Sequence, residues 1–404
     1  MDGAAVESAP GRARALGLIV VALVLAMTTW FSASAVVPQL RDEWSLSNSS
    51  AAWLTIAVQV GFVAGALLSS ALNLADVLPI RALILVSCIG AAVANLAVVA
   101  ADGPRSAIPL RMLTGFFLAG VYPPAAKLIS TWFVARRGTA LGVTVGALTL
   151  GSAAPHLVNG LGGLDWPIVI VATSGLTLLG GLVALAVDEG PHRFPAAVLD
   201  VRQIGQVFQN RGVRLASLGY FGHMWELYAM WAWFLVFYRE EVASGTSASY
   251  AAFAAIGVGA LGCYAGGVLG DRIGRAQSAA AMMATSGACA LAIGLLLDAP
   301  AWLVLAVGLI WGFTVVADSA QFSTLVTEHA DQAYVGTALS VQMAVGFALT
   351  TVTIWLIPFL ADAVGWRYAF AFLAPGPALG LVAMVRLART TSGGRLASGS
   401  AATA

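Results

Sequence analysis

Twelve apolar stretches follow one another along the chain, each near the roughly 20 residues that a helix needs to cross a bilayer core. They fall at about 15–39, 51–74, 82–101, 107–130, 139–161, 166–187, 214–238, 248–270, 277–297, 301–325, 335–358 and 367–388. A chain of 404 residues that is 59% hydrophobic and 10% charged holds more apolar surface than a soluble core of its size could hide. The expected class is therefore an all-α membrane protein with twelve transmembrane helices. The net charge of +1 offers no basic face for nucleic acid, and nucleic-acid partners are not expected. Cys88, Cys263 and Cys289 lie far apart in apolar runs, so neither a disulfide frame nor a metal site is expected.

Two connectors divide the spans. The polar segment from Asp188 to Arg214, with Pro191 and Pro195, separates six helices from six. This gives an N-terminal bundle at 1–190, a cytoplasmic linker at 191–213, a C-terminal bundle at 214–390 and a disordered tail at 391–404 rich in Ser, Gly and Ala. Arg12 and Arg14, with Ala33-Ser34-Ala35 beyond the first run, also resemble a signal peptide. Removing that segment would leave eleven spans and the seventh helix without a counterpart. With the N-terminus in the cytoplasm, fifteen of the twenty basic residues fall on the inside, which predicts both termini cytoplasmic and a multi-pass protein of the cell (inner) membrane.

The halves repeat each other. Gly138-Thr139-Ala140-Leu141 recurs as Gly336-Thr337-Ala338-Leu339, an offset of 198 residues. Gly115-Phe116 matches Gly312-Phe313, Asp165-Trp166 matches Gly365-Trp366, and Asp76 matches Asp271, at offsets of 197, 200 and 195. Landmarks in one order at nearly one spacing indicate a duplicated six-helix unit, a common architecture of secondary transporters.

The segment Gly267-Val268-Leu269-Gly270-Asp271-Arg272-Ile273-Gly274-Arg275 resembles the signature loop of the major facilitator superfamily. Its first-half counterpart keeps Asp76 and Arg81 but has Leu72, Val77, Pro79 and Ile80 at positions where the pattern prefers glycine or a basic residue. Arg111 with Gly115, Ala119, Gly120 and Pro123 is similar to the superfamily's arginine motif, and Gly142, Gly146, Gly151, Pro155 and Gly160 loosely resemble its Gly-Pro motif. The resemblance implies two pseudo-repeated six-helix bundles, alternating access, and gating roles for Asp76, Arg81, Asp271, Arg272 and Arg275. It names no solute.

Polar residues inside the spans are expensive, at about 2.5–3.5 kcal/mol for an ionised group at a helix centre, and so point to a cavity or a partner. The seventh helix aligns Tyr220, His223, Glu226, Met230 and Trp233, and the tenth aligns Trp311, Thr314, Asp318 and Gln321. Glu226 and Asp318 are the two acids well inside spans. A carboxyl in a partly dry cavity can be charged in one state and neutral in another, and proton coupling is assigned to this pair. Hydrogen-bonded structural acids would give the same pattern. Trp30, Arg111, His156, Tyr220, His223, Trp311 and Gln321 are the candidate solute contacts. Snorkelling to the headgroups competes for Arg111, and a satisfied structural role competes for His156. Lys127 is expected to snorkel, and Trp231 and Trp233 to serve as interfacial anchors.

The expectation is a monomeric secondary carrier of a small organic solute, with protons and the lipid bilayer as its other partners and no cofactor. Efflux of drugs or metabolites by proton exchange, or a solute receptor on a transporter fold, would share these features. No HExxH, Walker loop or GxSxG occurs, so an enzyme is not expected.

Overall fold

The computed structural model describes residues 11–133, 137–161, 165–192, 209–331 and 335–401. Among the described residues, eleven helices are long and apolar enough to cross a membrane: α1 Arg12–Thr29, α2 Asn48–Ala71, α3 Ile80–Ala100, α4 Pro104–Ser130, α5 Gly138–Gly160, α6 Trp166–Ala184, α8 Thr246–Ile273, α9 Arg275–Leu296, α10 Ala301–His329, α11 Val335–Val364 and α12 Trp366–Thr390. The twelfth, α7 (Arg211–Glu241), is 31 residues long and carries Arg214, His223, Glu226 and Arg239, which lower its hydropathy without shortening it. Helix continues from Pro375 to Ala401, into the tail that composition had assigned to disorder. Most of the expected linker lies outside the described residues.

Several spans are broken, and the breaks have local causes. After α1 the chain passes through two 3-10 turns, Met27–Thr29 and Ser34–Val36, into a short helix Val37–Trp44. Here Thr28 Oγ1 and Ser32 Oγ donate to the carbonyls of Leu25 and Thr29, competing with the regular ladder. In α4 the helix stops at Leu118 and restarts at Tyr122, where Pro123 and Pro124 supply no N–H to a preceding turn. α10 breaks at Asp318, between Ala301–Ala317 and Ser319–His329. Val121 and Asp318 are 197 residues apart, so the breaks in α4 and α10 obey the sequence repeat.

The repeat also reaches side-chain contacts. Trp166 Nε1 donates to Glu43 and Trp366 Nε1 donates to Glu240, equivalent bonds tying the start of the sixth and twelfth spans to the chain after the first and seventh.

Glycine stripes set how closely helices meet. On α8, a Cβ at Gly262 would lie 1.9 Å from the Phe313 carbonyl oxygen, and one at Gly266 2.0 Å from that of Ala317, so α8 and α10 touch through backbone. Between the halves the approach is looser. On α5, a Cβ at Gly142 would lie 3.0 Å from the Cys263 carbonyl oxygen, and one at Gly146 3.0 Å from that of Ala260.

Candidate functional site

The C-terminal half places its two buried acids where α7, α9 and α10 meet. Glu226 is 1% exposed, and its two carboxylate oxygens accept from different helices: Trp311 Nε1 of α10 at 2.7 Å and Ser286 Oγ of α9 at 2.9 Å. Among the described residues no Lys or Arg pairs with it. One turn earlier on α7, His223 Nδ1 lies 2.8 Å from Asp318 Oδ1, both side chains buried, and the Tyr220 ring stands 6.1 Å from the imidazole. Asp318 occupies the break in α10, where interrupted backbone and an acid coincide. Four residues of the α7 and α10 stripes, Glu226, Trp311, His223 and Asp318, thus form two contacting pairs. Ser286 has no such stripe in the sequence and becomes visible only through the helix packing.

The N-terminal half holds a cation instead. Arg111 is fully buried, so it does not snorkel to the headgroups. Its guanidinium donates to the carbonyls of Leu54 (3.2 Å), Thr29 (2.9 Å) and Trp30, to Ser32 Oγ (3.0 Å) and to Asn95 Oδ1 (2.7 Å). No carboxylate pairs with it among the described residues. Two of its carbonyl partners, Thr29 and Trp30, belong to the turn that ends α1, where a cation meets the negative end of a helix.

Aromatic rings from both halves close the space between these groups. Trp30 packs on Phe62 at 4.8 Å, Tyr228 at 6.1 Å and Phe347 at 6.2 Å, and Phe31 packs on Tyr228 at 6.0 Å and Trp231 at 5.7 Å. Trp231 and Trp233 are buried here rather than interfacial, because α7 is covered along most of its length by neighbouring helices. Trp233 donates to the Ile354 carbonyl, and Trp166, Trp311 and Trp366 donate to acids, but the buried indoles of Trp30 and Trp231 find no acceptor among the described residues. Both ring nitrogens of His156 and both amide atoms of Gln59 are likewise buried without a partner among the described residues. On α5, Gly151 packs on Val24 and Met27, and Asn159 donates to the Ala35 carbonyl, which brackets His156 beside the stretch bearing Trp30 and Phe31. Tyr264 is half exposed.

The loop residues divide by half. Asp76 pairs with Lys127, which is drawn to that carboxylate and to the Ala75 carbonyl rather than left to snorkel. Arg81 pairs with Asp188 at 2.9 Å, again within the N-terminal half. In the second loop Arg275 donates to Glu328 at 2.7 Å and lies 3.6 Å from Asp271, while Arg272 is exposed. This second loop reaches the other half: Asp271 accepts from Thr139 Oγ1 at 3.3 Å, and Arg275 lies against Gly138. At the opposite mouth the halves are joined by Asn48 donating to Asp362, Trp355 donating to Ser49 at 3.3 Å, and Asn159 donating to Ser249 at 3.0 Å.

The family model of the Major Facilitator Superfamily matches residues 19–352, and matches again over 216–402, the second half of the repeat. The chain belongs to the major facilitator superfamily. It is a multi-pass membrane transporter of two six-helix bundles, as its signature loop implied. No curated protein matches it. Among 314 solved chains that do is a bacterial homologue of the human lysosomal transporter Spinster, in an inward-facing, unoccupied conformation. It is 16% identical, with 95% of this chain and 96% of that chain covered and a TM-score of 0.68, a likeness of fold.

Proposed function

We propose that the protein is a proton-coupled carrier of a small organic solute, working by alternating access in a cell membrane with both termini in the cytoplasm. The observation that carries this reading is the pair of buried acids in the second half, Glu226 held by the neutral donors Trp311 and Ser286 and Asp318 facing His223. Glu226 meets only neutral donors and Asp318 faces a histidine, so neither carboxyl is held by a Lys or Arg among the described residues. A carboxyl with no fixed cation beside it can change charge when a conformational change alters its surroundings. The solute is taken up between the halves, against the aromatic rings and the unpartnered polar atoms of Trp30, Gln59, His156 and Trp231, each of which costs about 1–3 kcal/mol while unsatisfied. Arg111 supports this surface by holding the Trp30 turn in place. The Gly267–Arg275 loop and Thr139 form the cytoplasmic gate.

Vesicles loaded with a pH-sensitive dye and holding the purified protein provide the test, after a thermal-shift screen has ranked solutes for flux. A ranked solute should be concentrated under an imposed pH gradient and should carry protons with it. Glu226→Gln or Asp318→Asn keeps shape and loses the proton, and should abolish uphill transport while leaving exchange between equal pools active. Continued accumulation by both variants would return these acids to structural or solute-binding roles.

A further inference from the structure

The second segment of α10, Ser319–His329, carries three groups on one rigid body. At its head stands Asp318, in the break and 2.8 Å from His223. One turn along, Gln321 is 1% exposed; its Nε2 donates to the Gly266 carbonyl at 3.0 Å and its Oε1 lies 3.5 Å from Arg275 Nη1. Near its end Glu328 accepts from Arg275 Nε at 2.7 Å. Gln321 reaches that position through a missing side chain, because a Cβ at Gly270 would sit 2.6 Å from its Oε1. Arg275 in turn lies against Asp271 and against Gly138 of α5, where a Cβ would be 3.0 Å from its Nη1, and Asp271 accepts from Thr139 of the first half.

We propose that Ser319–His329 is a lever joining the charge of Asp318 to the cytoplasmic gate, and that Gln321 is the positioning residue that carries the motion to Arg275. The proposal rests on the reading of Asp318 as a proton-carrying group. An eleven-residue helix moves as a unit, and the break at Asp318 leaves it free to pivot. While Asp318 is charged its contact with His223 holds the head of the segment, and Gln321 and Glu328 hold Arg275 in the closed gate. Loss of the charge releases the head, and both grips on Arg275 shift together. The titratable groups facing Asp318 are His223 and Glu226 on α7 and Cys263 on α8. Gln321, assigned to solute binding by its place in the stripe, has its two amide ends turned to the α8 backbone and to the gate arginine.

Cys263 reports the gate without a known solute. It is 2% exposed at the α5–α8 seam, its Sγ 3.9 Å from Thr149 Oγ1, so alkylation by N-ethylmaleimide requires the seam to part. In full-length protein with Cys88→Ala and Cys289→Ala, labelling of Cys263 should quicken at least about threefold on acidification as the gate population shifts. Asp318→Asn should label fast at every pH. Gln321→Leu should label at a rate independent of pH with Asp318 still present, whereas Gln321→Glu, which keeps an acceptor for Arg275, should retain the response. If Gln321→Leu does not fold, Gln321→Asn, one methylene too short for the span, should give the same flat profile. A normal response in Gln321→Leu beside a flat Asp318→Asn would overturn the lever and leave the proton assignment standing. A normal response in Asp318→Asn would overturn the proton assignment and the lever with it, and a wild-type chain indifferent to pH would overturn the lever outright.

Discussion

Arg111 carries a permanent charge into the interior of the first bundle and meets there only neutral oxygens. Its removal takes a charged donor from the carbonyls of Thr29, Trp30 and Leu54, from Ser32 and from Asn95 at once, so Arg111→Leu should destabilise the protein by several kcal/mol. Arg111→Lys, with three donors and no planar fork, should recover part of that loss. Thermal melts in detergent would show the order wild type, Lys, Leu; a Leu variant as stable as wild type would mean that the α1 turn is held by packing alone. Gln59 should behave in the opposite way. Both of its amide atoms are buried without a partner, so Gln59→Leu removes an unmet polar group and should melt no lower than wild type, while weakening the binding of any solute that the amide contacts. The sequence separated these two cases poorly. Both are polar residues within apolar runs of the sequence, but two of the three carbonyls that satisfy Arg111 are freed by the turn after α1, which no spacing along α4 encodes.

Glycine stripes show how much an element's sequence says about its partners. Gly262, Gly266 and Gly270 on α8 and Gly138, Gly142 and Gly146 on α5 stand four residues apart in the sequence, and each stripe faces a close neighbour. What spacing could not give was which contact lies within a half and which lies between halves, and on that difference their substitutions should part. Gly262→Ala would place a Cβ 1.9 Å from a backbone oxygen inside the second bundle, with no flexible side chain to give way, and should prevent stable folding. Gly142→Ala would place one 3.0 Å from the Cys263 carbonyl across the seam, where the two halves can move apart by a few tenths of an ångström. That variant should fold, melt near wild type and label faster at Cys263, and equal loss of folding in both variants would deny that the α5–α8 seam is a moving contact. The breaks in α4 and α10 were illegible for a related reason. A hydropathy window of about 19 residues averages across them, so Asp318 read as an acid within a helix rather than as the end of one and the start of another. The duplication itself was legible because Gly, Trp and Asp at fixed offsets mark turns and helix ends, as the matching Glu43–Trp166 and Glu240–Trp366 bonds bear out.

Seen as one body, the molecule is held together across its two halves at both mouths, by Thr139 with Asp271 at one and by Asn48 with Asp362 at the other. Asn48 is itself positioned there, accepting from Arg41 at 3.0 Å, and Arg41 lies 5.9 Å from the centre of a Trp233 ring of the second half. If the arginines set the orientation, tags near Arg136 and Arg272 should react from the cytoplasm and one near Arg239 from outside. The Asp362 clasp then closes the outer mouth. Alternating access makes the two mouths compete for one equilibrium, so a change at either should be read at the other, and the couplings should oppose. Asp362→Ala removes the acceptor of the outer clasp and favours the outward-open form, in which the α5–α8 seam stays shut. Cys263 should therefore label more slowly than in wild type, although position 362 lies at the far end of the molecule. Gly142→Ala biases the same equilibrium in the other direction, and the double variant should label at a rate between the two. Energies of separate sites acting on one equilibrium add, so the double variant's rate should approach the product of the two single effects. An Asp362→Ala protein that labels as wild type does, with Gly142→Ala and the double variant equally fast, would show that the mouths open independently, and alternating access between rigid halves would fail as a description of this chain.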